Sequence, residues 1–176
     1  QIDLPMWAVG NWSGMALHLR GATEGYMRAA SKHKKLRIHC GTHFHPFYSE
    51  EGRGDQLRFF DYWLKDVDNG VMQEPPVKLA IRTGHGEYHF RHENEWPIAR
   101  TQWTKFHLDP VGHALSRTPP ESSGAIVYYA MGEGLTFVSV PLEEETEITG
   151  PLAARLSVSS STIDADLFLV FRVFTP

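Results

Sequence analysis

The apolar positions of the chain follow two different patterns that meet near Glu74-Pro75-Pro76. Before that point the signals are α/β. Residues 6–9 form a short apolar run closed by Gly10 and read as a buried strand. The stretch from Leu17 is mixed, with Gly21 and Gly25 interrupting a helical pattern. Its second part, residues 24–35, reads as a helix ending in Lys32, Lys34 and Lys35, where cations suit the negative end of the helix dipole. Residues 36–39 read as a second strand. The clearest helix spans 53–65: Leu57, Phe60 and Leu64 fall on one stripe, Phe59 and Trp63 widen it, and Asp68-Asn69-Gly70 stops it.

After Pro76 the pattern is strands and turns. Residues 77–82 alternate and 105–108 do so weakly. Residues 125–131 and 135–140 flank Gly132-Glu133-Gly134, a hairpin signal, and 152–159 and 167–174 read as longer strands. Short strands spaced by Gly, Pro and Ser turns predict a β-sandwich or jelly roll. The expected organisation is therefore an α/β part over residues 1–74 and a β part over 75–176. Gln1 lies a few residues before an apolar run, and the last strand-like run has no cap, so both ends read as cut and partner segments are expected.

Composition narrows the classes. Apolar residues make up 41% and charged residues 22% of the 176, values of a globular chain. A net charge of −4, from 17 basic and 21 acidic residues, gives no footprint for nucleic acid or anionic lipid. The single cysteine, Cys40, rules out an intrachain disulfide and a multi-cysteine zinc cage. No apolar run approaches the roughly 20 residues that span a bilayer, and no signal-peptide pattern opens the chain. A soluble protein is expected, with the cytoplasm preferred. Glu143-Glu144-Glu145 reads as a solvated turn.

The densest chemistry is His39-Cys40-Gly41-Thr42-His43-Phe44-His45, just after the second predicted strand. Loops at the carboxyl ends of strands carry active sites in α/β proteins, and a histidine there can act as general base. Capping or packing roles are the plain alternative. A metal is another: His43, His45 and Glu50 match the H-x-H-x4-E spacing of cupin sites, although Arg37 stands where a flanking glycine belongs. Cys40 precedes His43 by three residues with nothing evident to activate it, so an inert thiol is expected. Ser13 is not in a nucleophile elbow, because Met15 stands where the second glycine is required; it reads as a turn or N-cap serine.

Several segments together resemble the CocE/NonD hydrolases, the cocaine-esterase and X-Pro dipeptidyl-peptidase relatives. These are Ala8-Val9-Gly10-Asn11-Trp12-Ser13-Gly14, the run from Leu36 to His43, and Phe59-Phe60-Asp61-Tyr62-Trp63-Leu64-Lys65. Glu95-Trp96-Pro97, Thr104 to Leu108 and Ile148 to Ser161 continue the series in order. The resemblance implies that residues 1–74 are the last strands and helices of an α/β-hydrolase domain and that 75–176 begin a jelly-roll β-sandwich. It implies a serine hydrolase acting on an ester or on an acyl or peptidyl amide, with no cofactor. The nucleophile would lie in an upstream hydrolase and cap portion, so that these residues alone are inactive. The triad histidine carries over to His43, with His39 and His45 as neighbours.

The acid does not carry over. The family's Trp-Tyr-Asp-Gly stretch is here Asn11-Trp12-Ser13-Gly14, and Ser13 occupies the acid's place. Glu24 is the first substitute, provided that residues 20–25 return as a loop; as continuous helix, residues 13–24 would place it about 16 Å along the axis from Ser13. Asn11 could instead orient a neutral imidazole, as asparagine does in papain-like sites. The remaining option is a weak or inactive hydrolase. The competing class is a non-catalytic β-sandwich module that binds a glycan or a partner through Trp96, Trp103, Tyr128 and Tyr129.

Overall fold

The computed structural model of the chain describes residues 2–14, 18–84 and 86–174. Two compact units divide it, residues 1–101 and 102–176.

The first unit is built on a four-stranded sheet of order β1-β2-β3-β4, with β1 at Met6–Asn11, β2 at Lys34–His39, β3 at Val77–Arg82 and β4 at Tyr88–Glu93. β1, β2 and β3 run parallel, and β4 returns antiparallel on β3. The strands on either side of Pro76 thus share one sheet. β4 has no sequence signal, because histidine, arginine and glutamate fill an edge strand that is only partly buried.

Alternation along β2 sends its side chains to two unlike faces. Leu36 and Ile38 enter the apolar core with Val77, Leu79, Ile81, Tyr26, Trp96 and Ile98. Lys35, Arg37 and His39 are buried on the other face. There, Arg37 is bonded to Asp55 and lies 3.3 Å from Glu51, while Lys78 reaches the same two carboxylates at 3.2 and 2.9 Å. Burial lowers the Lys35 ammonium pKa, and the group donates to the Glu74 carbonyl at 3.1 Å.

Helix α1, Arg20–Arg28, follows β1 and places Thr23 and Tyr26 in the interior. It begins four residues before the predicted helix and ends seven before that helix's end. Lys34 and Lys35 belong to β2 instead, though Lys34 Nζ still donates to the Ala29 carbonyl at 3.0 Å just past the helix end. Helix α2, His45–Tyr48, turns the corner into α3, Glu50–Lys65. The Ser49 hydroxyl caps α3 by accepting from Gly52 N at 3.1 Å. The predicted stripe divides: Leu57, Phe60 and Leu64 point outward, 57%, 52% and 75% exposed, while Phe59, which widened it, is buried. The face that turns inward carries Gly52, Asp55 and Phe59, because the sheet surface it meets is charged as well as apolar.

In the second unit, β5 (His107–Asp109) and β6 (Ala114–Ser116) form an antiparallel hairpin. Val138 meets Ala114 in a single bridge. The predicted strands at 125–131, 135–140, 152–159 and 167–174 are irregular chain without ladders, and Val127, Met131 and Phe168 are among the apolar side chains left exposed. A strand forms only where a neighbour answers its backbone groups, and beyond the Val138 bridge the described residues supply none to these segments.

Candidate functional site

The parallel register of β1 and β2 pairs Asn11 with His39. The two loops that follow these strands therefore emerge side by side. The first turns through a short 3-10 segment at Trp12–Gly14, and the second runs from Cys40 to Phe44. Gly41 allows the second loop its sharp exit, with φ at +86°.

Asn11 ties the loops together. It is almost wholly buried, and its Nδ2 donates to the carbonyls of Thr42 (3.0 Å) and Gly41 (3.3 Å) while lying 3.4 Å from His39 Nδ1. Its Oδ1 accepts from Ser13 N at 2.7 Å. The amide thus orients His39 and the loop backbone, not the imidazole of His43. Trp12 anchors the first loop by donating from Nε1 to the Ala80 carbonyl at 2.7 Å.

His43 stands exposed on this scaffold. Its ring stacks on His18, with centroids 4.5 Å apart and planes 25° from parallel, and Phe44 approaches edge-on at 4.9 Å. Gly14 lies beside it: a Cβ at position 14 would sit 3.6 Å from His43 Nδ1. The Nδ1 edge therefore faces the loop that carries Ser13, which is itself exposed. His18 has no signal in the sequence, because only the pairing of β1 with β2 brings it to His43.

His39 differs in kind. It is buried, and its pKa is pushed down to about 4, first by burial and then by the Arg37 and His43 charges. It is neutral near pH 7. Cys40 is buried too, and burial raises its thiol pKa, as expected of an inert cysteine.

Glu24 does not lie on a returning loop. It sits within α1, where its carboxylate pairs with Arg28 Nε at 2.7 Å, one helical turn on. The metal spacing does not become a metal site: His43 lies on a loop, His45 opens α2 and Glu50 opens α3. Among the described residues, no three His, Cys, Asp or Glu side chains come together to hold a metal ion. His45 and Glu50 instead line an open cleft with Arg37, Tyr88 and Phe90. No helix among the described residues is long and apolar enough to cross a membrane.

Known proteins resemble this arrangement. Residues 69–176 match the family described as the X-Pro dipeptidyl-peptidase C-terminal non-catalytic domain. The cocaine esterase of Rhodococcus sp. is 25% identical over 61% of this chain and 25% of its own length. A Mycobacterium bovis protein described as a serine esterase is 24% identical over 70% of this chain and 24% of its own length. A solved CocE/NonD family hydrolase from Staphylococcus aureus superposes with a TM-score of 0.63 at 29% identity, over 66% of this chain and 21% of that one. The chain spans about a quarter of the length of the curated relatives it matches.

Proposed function

Because the chain belongs, through residues 69–176, to the family of the X-Pro dipeptidyl-peptidase C-terminal non-catalytic domain, among the CocE/NonD hydrolases, we propose that it forms part of a serine hydrolase and supplies that enzyme's base. The substrate class is a small ester or an acyl or peptidyl amide. Residues 1–74 would close an α/β-hydrolase domain, whose sheet β3 and β4 extend past residue 74, and the residues that follow would open a jelly roll, with the nucleophile on a further portion of the protein. The proposed chemistry falls to residues before the non-catalytic match.

The observation that carries this reading is the posture of His43. It is exposed at the carboxyl end of the parallel strands, and its Nδ1 edge is turned to the β1 loop. In a hydrolase triad Nδ1 meets the orienting group and Nε2 meets the serine. Nε2 of His43 would take the serine proton during attack and return it to the leaving group. Ser13 stands where an acid would be and brings no charge. Glu24 can take that place only by leaving Arg28 and reaching out of α1.

The test is hydrolysis of a small aryl ester by the protein extended to its nucleophile. His43→Ala lowers turnover at least about a thousandfold while folding persists. Near-normal turnover would sink the assignment. Glu24→Gln is the companion variant: an unchanged rate removes it as the orienting acid.

A further inference from the structure

Building on the reading of His43 as the base, we propose that His18 is its positioning residue, holding the imidazole by its face so that both ring nitrogens stay free. His43 comes from the loop after β2 and His18 from the helical turn that leads into α1, and the two rings stack at 4.5 Å with planes 25° apart. Both side chains are exposed, so the contact does not serve the core. Among the described residues His43 has no hydrogen-bonded partner, and an exposed imidazole so placed would otherwise turn among several orientations, only one of which presents Nε2 correctly.

In a triad, a carboxylate on Nδ1 restrains the ring. Here Ser13 holds the acid's position and Glu24 is paired with Arg28. Stacking on one face and the Phe44 edge at 4.9 Å supply restraint without occupying either nitrogen. Gly14 lies beside both histidines: a Cβ there would make ordinary van der Waals contact, 3.6 Å from His43 Nδ1 and 3.8 Å from His18 Cβ.

Two measurements decide it. In the histidine-labelled 176-residue chain, His18→Ala removes the ring-current shift on the His43 ring protons and leaves the His33, His39 and His107 signals in place, whereas His18→Phe keeps the shift. In the protein extended to its nucleophile, His18→Ala lowers kcat about three- to tenfold at unchanged KM for an aryl ester, and His18→Phe restores it. The proposal is overturned if the His43 signals ignore His18→Ala, or if His18→Phe fails to restore kcat. If His43→Ala retains turnover while the ring-current signature persists, the stack is real but has no base to position, and the proposal falls together with the reading beneath it.

Discussion

His39 ends β2 with 3% of its surface exposed, and burial holds its pKa near 4 against an ordinary 6.5. Between those two values the unfolded chain binds a proton that the folded chain refuses. The neutral buried ring therefore contributes stability that is complete above pH 6.5 and is lost as pH falls toward 4, amounting to about 3 kcal/mol at most. Urea unfolding at pH 7 and at pH 4.5 checks this: the native chain loses markedly more stability on acidification than a His39→Gln variant. Equal losses would mean that His39 is not the source. The cluster His39, His43, His45 is visible in the sequence as candidate chemistry, but its division of labour is not. Whether a histidine is buried beside an arginine or exposed beside another histidine depends on strand alternation and on what the opposite loop brings. Asn11 makes the same point: the sequence offers it as a partner for an imidazole, and the pairing of β1 with β2 makes that imidazole His39.

At the scale of elements, α3 shows how periodicity identifies a helix without orienting it. The spacing of Leu57, Phe60 and Leu64 is helical, and the helix is there, yet that stripe is exposed. The reason is Arg37. A guanidinium buried on the sheet needs carboxylates, and Asp55 and Glu51 supply them from the opposite side of α3. Gly52 sets the corner between α2 and α3. A Cβ there would stand 2.1 Å from the Pro46 carbonyl oxygen and 2.7 Å from that of Phe47, whereas one at Gly54 would meet nothing within 4 Å. Alanine is the better helix former at both positions by about 1 kcal/mol. Gly54→Ala therefore raises the thermal midpoint, while Gly52→Ala lowers stability by about 1–3 kcal/mol as the corner is forced apart. Two glycines two residues apart thus respond oppositely, and a parallel response would contradict the packing described.

For the whole molecule, protection follows pairing. Leu36, Ile38, Val77 and Leu79 lie in a sheet bonded on both sides and are essentially unexposed. Among the described residues, 125–174 are irregular chain with turns and bends and a single bridge, at Val138. In hydrogen exchange of the 176-residue chain, amides of β2 and β3 exchange slowest, and those across 152–174 exchange near the rate of unstructured peptide. Slow exchange there would show that these segments find strand partners. By itself the sequence determined the α/β character before Pro76, the β character after it, the loop that carries the histidines, and the resemblance to the CocE/NonD hydrolases. Each of these is a matter of local pattern, or of residues adjacent in the chain. Only the tertiary structure decided which face of α3 turns inward, that Glu24 pairs with Arg28, that β3 joins the parallel strands and β4 returns antiparallel on it, and that His18 lies on His43. These are contacts between residues far apart in sequence or choices among competing partners, and the energies that settle them exist only once the strands are side by side.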